Sequence, residues 1–251
     1  MPETPRPLIA GNWKMNGGKL ALKELGAMIE GYDAGLRARV ELLVCPPATL
    51  LHAASVIALG SGIRIGAQDC HAEAGGAHTG DLAAAMLADC GATHVLAGHS
   101  ERRQNHRETD AVVNAKAAAA HAAGAIAVVC VGETAQQRRD AATIAVVKRQ
   151  LSRSLPISST VENTIIAYEP VWAIGTGLTP SSADIAEVHA ALRAGLKRRF
   201  GKRAGGMRIL YGGSVKPGNA KEILGLANVN GALVGGASLK AADFLAIAKA
   251  C

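Results

Sequence analysis

The sequence predicts an α/β fold of eight strand–helix units, best arranged as a (β/α)8 barrel with eight parallel strands surrounded by helices. Three observations carry this. Short apolar runs alternate with longer helical stretches along the whole chain, with no linker between them. Several runs are continuously apolar, as in parallel strands covered on both faces. The length of 251 residues suits one eight-fold barrel. Length alone would also allow two domains; the unbroken alternation favours one domain over 1–251. A doubly wound open sheet has the same periodicity and remains an alternative.

The strand candidates are residues 8–10, 40–45, 63–67, 94–97, 126–131, 164–168, 208–211 and 232–234. Between them, residues 19–29 place Leu22, Leu25 and Ile29 on one helical face. Residues 114–123 are dense in Ala, the strongest helix former. Ile185, Val188, Leu192 and Leu196 recur at steps of three and four. Thr179-Pro180 precedes that stripe as a candidate N-cap followed by Pro at the first helical position. The first strand leads into Gly11-Asn12-Trp13-Lys14 and not into Gly-x-Gly-x-x-Gly, which argues against dinucleotide binding.

Composition narrows the class. Hydrophobic residues are 49% and charged residues 19%, enough for a large core and incompatible with disorder. Aromatics are only 3%, so Val, Ile, Leu and Ala must fill the core. The net charge of +7 could steer an anionic substrate or belong to an ordinary basic protein. Basic residues are scattered, with short runs such as Lys197-Arg198-Arg199 and no interleaved aromatics, so nucleic acid is not an expected partner. The five cysteines contain no Cys-x-x-Cys pair and suggest neither a disulfide framework nor a zinc site. Cys130 sits within an apolar strand, which favours an inert thiol. Residues 1–7 carry no apolar signal region and no run is long enough for a bilayer, so no membrane partner is expected and a cytoplasmic location is.

In a barrel, residues just beyond the strand ends gather on one face. Asn12 and Lys14 follow the first strand; each could hold a substrate, or be a turn Asn and a surface Lys. After the fourth strand come Gly98-His99-Ser100-Glu101-Arg102. Ser100 can cap the next helix, leaving His99 at its positive end, where imidazolium is disfavoured and the pKa falls. A neutral His99 could polarise a carbonyl oxygen, or simply be a structural histidine. Glu169-Pro170 follows the sixth strand, where a carboxylate can take a proton from carbon beside a carbonyl. The alternative is a surface carboxylate. Val171-Trp172-Ala173-Ile174-Gly175-Thr176-Gly177 combines an apolar stretch with a glycine-flanked tip, and reads as a closing lid or as a buried Trp beside a turn. Gly212-Gly213-Ser214 and Gly235-Gly236 follow the last two strands, where bare backbone can approach an anion; tight turns are the plain alternative.

Five segments, taken together and in order, resemble the triosephosphate isomerase family. They are Gly11-Asn12-Trp13-Lys14-Met15-Asn16, Gly98-His99-Ser100-Glu101-Arg102-Arg103, Tyr168-Glu169 through Gly177, Tyr211-Gly212-Gly213-Ser214-Val215 and Val234-Gly235-Gly236-Ala237-Ser238-Leu239. The resemblance implies a TIM barrel acting in glycolysis and gluconeogenesis on dihydroxyacetone phosphate and D-glyceraldehyde 3-phosphate. It implies Glu169 as the base, His99 as the neutral electrophile, Lys14 as electrostatic support, Asn12 as a substrate contact and Glu101 as support near Lys14. Gly175, Ser214, Gly235 and Gly236 would bind phosphate beneath a lid of Pro170, Val171, Trp172, Ala173, Ile174, Gly175, Thr176 and Gly177. No cofactor and no metal would be needed. A homodimer is implied, with Gly76-Ala77-His78-Thr79-Gly80-Asp81 inserted into the partner, Thr79 and Met15 in contact, and Thr79 near the partner subunit's Asn12 and the partner subunit's Glu101.

Three positions depart from the family pattern. Leu178-Thr179-Pro180 stands where Lys-Thr-Ala is frequent, His78 where an aromatic is frequent, and Asp81 where Glu is common. Two other readings compete. An isomerase of a four-carbon sugar phosphate would use the same groups, since one carbon changes pocket contacts by only about 1–3 kcal/mol. A non-catalytic binding barrel would be expected to have lost at least one of Asn12, Lys14, His99 or Glu169, and all four are present.

Overall fold

The computed structural model of the chain describes residues 5–174 and 178–251. Eight strands among the described residues close into a barrel in sequence order, every neighbouring pair parallel. They are β1 (Leu8–Asn12), β2 (Glu41–Cys45), β3 (Arg64–Ala67), β4 (His94–Ala97), β5 (Ile126–Val131), β6 (Thr164–Tyr168), β7 (Ile209–Tyr211) and β8 (Gly231–Val234). All eight anticipated strands are present, with ends shifted by up to two residues. The closed order removes the open-sheet alternative.

The helices are α1 (Leu22–Gly31), α2 (Ala34–Arg39), α3 (Ala48–Ile57), α4 (Ala84–Asp89), α5 (Ser100–Asn105) and α6 (Asp110–Ala122). They continue with α7 (Ala135–Arg139), α8 (Thr143–Ser154), α9 (Ser182–Phe200), α10 (Pro217–Leu224) and α11 (Ala241–Lys249). No helix among the described residues is long and apolar enough to cross a membrane.

The continuous apolar character of the strands now has a physical reason. Side chains alternate across a strand, and here both faces are dry. One set, including Leu8, Leu43, Leu96, Val128, Ile165 and Leu210, fills the barrel interior. The other, including Ile9, Val44, Val95, Val129, Ile166 and Ile209, packs outward with the helices. Ile185, Val188, Leu192 and Leu196 of α9 are buried in that outer layer as their spacing requires. The helix after the first strand begins later than expected: Lys19–Ala21 is a 3₁₀ turn leading into α1, whose Leu25 and Met28 are buried.

One cap differs from the sequence reading. Ser181, not Thr179, is the N-cap of α9, and Pro180 lies outside the helix. Ser181 Oγ accepts from the Asp184 N–H at 3.2 Å, and Asp184 Oδ2 accepts from the Ser181 N–H at 3.0 Å. This reciprocal capping box satisfies two backbone donors, whereas Thr-Pro offers only one side-chain acceptor.

The N-terminal end of the barrel is stitched by polar groups. Glu41 accepts from Arg6 Nη2 at 2.7 Å and from Arg208 Nη2 at 2.8 Å. Buried Arg193 donates to the carbonyls of Ala204 and Met207, and at 2.7 Å to Asn230 Oδ1. The same Asn230 oxygen accepts the N–H of Ile209, the first residue of β7, at 3.1 Å.

Candidate active site at the C-terminal mouth

The opposite end of the barrel collects the polar residues that follow the strands. A cavity of about 500 Å³ opens there. Asn12, Lys14, His99 and Glu169 line it together with Ser214, Gly235 and Gly236. Residues as far apart in sequence as Asn12 and Gly236 thus share one wall because parallel strands deliver all their C-terminal ends to one face. Ile174 reaches the same cavity. Gly175, Thr176 and Gly177 lie outside the described residues. Thr79 belongs to an exposed segment and does not line the cavity, and Met15 is 97% exposed.

The end of β1 turns sharply. Lys14 has φ +54°, the left-handed region that non-glycine residues rarely enter. Asn12 Oδ1 accepts the Lys14 N–H at 3.0 Å, and the Gln68 amide donates to Lys14 O and to Cys45 O, each at 2.9 Å. Held in this way, Lys14 Nζ reaches Glu101 Oε1 at 2.6 Å. Glu101 is therefore beside Lys14 as expected, but it does not line the cavity.

Glu169 follows β6 and is 2% exposed. Its N–H donates to Val131 O at 2.8 Å, extending the β5–β6 pairing by one residue. Gly132 lies against its carbonyl: a Cβ at Gly132 would fall 1.7 Å from Glu169 O. Glu169 Oε1 is 2.9 Å from His99 Nε2, and Oε2 accepts the Ser100 N–H at 2.8 Å.

His99 itself, rather than Ser100, is the N-cap of α5. Its Nδ1 accepts the Glu101 N–H at 3.3 Å, and its carbonyl accepts from Arg102 and Arg103. The Ser100 N–H is then free to bind Glu169. An Nδ1 that accepts leaves the proton of a neutral ring on Nε2, which points at the Glu169 carboxylate. The expected lowering of the His99 pKa is not what the structure gives. Burial opposes the imidazolium, but the charge and hydrogen bond of Glu169 outweigh it and move the pKa up. Burial likewise opposes the Glu169 carboxylate, and His99, the Ser100 N–H and Lys14 outweigh it and hold its pKa below the ordinary value. The sequence argument included the helix terminus and lacked the carboxylate facing it.

Two contributors escaped the sequence reading. Gln68 follows β3 and clamps the Lys14 turn. Glu133 follows β5, is fully buried, and accepts from Trp172 Nε1 at 2.8 Å and Tyr168 Oη at 3.2 Å. Its carbonyl also accepts the Val171 N–H at 3.1 Å. Burial raises the Glu133 pKa despite these donors. Arg138 lies 4.6 Å over the Trp172 ring and binds Asp184 at 2.8 Å, so the α9 cap and the lid base share one network. Gln68 lies one residue beyond β3 and Glu133 two beyond β5, a position they share with ordinary loop polar groups. Cys130 is buried with its thiol pKa raised, primarily by burial.

A family model described as Triosephosphate isomerase matches residues 7–251. The chain belongs to the triosephosphate isomerase family. It is 60% identical over 245 residues to the triosephosphate isomerase of Rhizobium meliloti (strain 1021), covering 98% of this chain and 96% of that one. It is 61% identical over 251 residues to the family member of Afipia carboxidovorans, covering 100% of both. The crystal structure of triosephosphate isomerase from Bartonella henselae matches with a TM-score of 0.91 at 51% identity, covering 98% of each chain.

Proposed function

We propose that the chain interconverts dihydroxyacetone phosphate and D-glyceraldehyde 3-phosphate, with Glu169 moving a proton between adjacent substrate carbons. The observation that carries this reading is the convergence of the buried Glu169 carboxylate, the His99 imidazole and the Lys14 ammonium on a cavity that Gly212, Gly213, Gly235 and Gly236 also line. Phosphate fits the wall of Ser214, Gly235 and Gly236, where bare backbone admits an anion closely. Gly235 also stands near Lys14: a Cβ there would lie 3.5 Å from Lys14 Cε.

With phosphate anchored, the carbonyl end of the substrate reaches His99 and Lys14. His99 Nε2–H donates to the oxygen on which negative charge develops, and Lys14 stabilises that charge. Glu169 leaves the Ser100 N–H and His99, takes a proton from the carbon beside the carbonyl, and leaves an enediolate. The proton then returns to the neighbouring carbon, while the oxygens exchange theirs through His99. Removing the carboxylate from His99 also removes what raises the imidazole pKa, which favours the neutral ring the mechanism needs. The lid, whose described residues are 170–174, excludes water from the enediolate, with Trp172 anchored by Glu133 at its base.

The whole chain, 1–251, acts as one barrel domain in the cytoplasm. It works as a homodimer; Met15, left 97% exposed beside Lys14, supports a subunit contact there together with Thr79. Sedimentation of the wild type and Met15→Glu tests the assembly, and a wild-type monomer at assay concentrations would exclude it. The decisive assay is interconversion of the two triose phosphates by wild type and Glu169→Gln. Turnover should fall by about 10²–10⁴-fold in the variant. A folded variant with wild-type turnover would remove Glu169 as the base.

A further inference from the structure

Residues 193–208 carry seven Lys or Arg and no Asp or Glu, a local excess as large as the net charge of +7 of the whole chain. Part of it is compensated. Arg203 pairs with Glu162 and Arg208 with Glu41. The C-terminus of α9 supplies roughly half a negative charge. Arg193, Lys197 and Lys202 are left over: none of the ion pairs among the described residues includes them. These three line one cavity of about 650 Å³ together with Asn228 and Asn230, and no described carboxylate lines it.

Arg193 is only 7% exposed, and its four hydrogen-bond acceptors are all neutral oxygens: Ala204 O, Met207 O, Asn230 Oδ1 and, at 3.4 Å, Asn228 Oδ1. Neutral acceptors satisfy N–H groups without cancelling the charge, and an uncompensated buried charge is costly. Burial lowers the Arg193 pKa and no anion opposes it. A guanidinium has five N–H donors, so four bonds leave one. Lys197 and Lys202 stand exposed at the rim. We propose that this pocket binds a small anion of the phosphate class that carries more than one negative charge. Arg193 keeps its protein partners and contributes its charge and its fifth N–H. The two ammonium groups close on the anion from the rim through charge-assisted hydrogen bonds. Their compact charge suits densely charged phosphoryl oxygens, and a cavity of about 650 Å³ leaves room for more than a single phosphoryl group.

The pocket opens at the N-terminal end of the barrel. Its walls are the last turns of α9, the 3₁₀ turn Gly201–Gly206 and the connection that leads into β8. Met15 and Thr79 follow β1 and β3 at the opposite end, so subunits that meet through them leave this pocket accessible. It is likewise separate from the cavity of Glu169 and His99. A bound anion would tie the three walls together and stabilise the folded chain by mass action. This inference does not depend on the triose phosphate reading.

The test titrates the ¹⁵N-labelled, tag-free full chain with pyrophosphate and follows its amide signals by NMR. Wild type should show saturable shifts at Gly201, Gly205 and the Asn228 and Asn230 side-chain amides, separable from any shifts at Gly235 and Gly236 in the other cavity. The double variant Lys197→Gln/Lys202→Gln should weaken the first set at least about tenfold, because two of three cations are gone, and should keep wild-type isomerase turnover. Lys197→Arg/Lys202→Arg should restore binding. If the Gln pair unfolds, the two single Gln variants carry the test. No saturable shift in the first set overturns the proposal, as does full-strength binding by the folded Gln variants. Loss of wild-type binding at about 0.15 M salt also overturns it, since a diffuse surface field is largely screened there and a built site is not.

Discussion

The two ends of the barrel use the same residue types to opposite purposes. At the N-terminal end, Arg193 has protein oxygens as partners from four different residues, and Glu41 is held between two guanidinium groups. At the C-terminal end, Glu169 and Lys14 each border open cavity as well as a partner. A polar group whose partners are all protein atoms stitches elements together. A polar group with one side turned to a cavity can exchange its partner for a substrate. Neither burial nor a neighbouring cavity alone distinguishes them: Arg193 and Glu169 are both buried and both border a cavity, but Arg193 spreads its donors over four protein partners.

Substitutions at the two ends sharpen that contrast. The largest effect is expected for His99→Gln, which replaces the imidazole donor to the developing oxyanion with a differently placed amide N–H. Its kcat should drop by about 10²–10³-fold with the thermal midpoint nearly unchanged; steady-state kinetics and calorimetry read both. Glu169→Asp withdraws the carboxylate by one methylene, and a displacement of about 1 Å can cost roughly 100-fold. Near-normal turnover in that variant would break the idea that position, not charge alone, sets the mouth.

The pattern should reverse at the other end. Arg193→Met removes the donor to the carbonyls of Ala204 and Met207 and one of the two donors to the Asn230 oxygen. Stability should fall by about 2–4 kcal/mol in denaturant unfolding, with kcat per folded molecule retained. A catalytic defect without destabilisation would contradict the division between the ends. The smallest effect concerns Glu41. Burial opposes its charge, but hydrogen bonds from Arg208 and Arg6 outweigh that and hold its pKa below the ordinary value. A lowered folded pKa gives stability that is present above the unfolded pKa and lost as pH falls through the folded one. Glu41→Gln should therefore flatten the acid side of the stability profile and leave neutral-pH kinetics alone.

These contrasts also explain what the sequence could reveal. Strands were readable because both their faces are apolar, and Asn12, Lys14, His99, Glu169, Ser214, Gly235 and Gly236 because each follows a strand. The α9 start was misplaced because Ser181 and Asp184 satisfy each other, a pairing that outcompetes Thr179. The direction of the His99 pKa was missed because Glu169 lies seventy positions away in the chain and 2.9 Å away in space. Gln68 and Glu133 act through other residues, so no property of their own segments distinguished them from ordinary loop polar groups.

Gly132 has a consequence for how this site can diverge. A methyl group there would occupy the space of the Glu169 carbonyl. No side chain is small enough to serve as a stepping stone, so single substitutions at 132 meet a wall, not a slope. The backbone beneath residue 169 is in this sense frozen, while the side chain mounted on it is not. Descendants of this sequence could acquire new chemistry at position 169 far more readily than they could move the seat from which that chemistry acts.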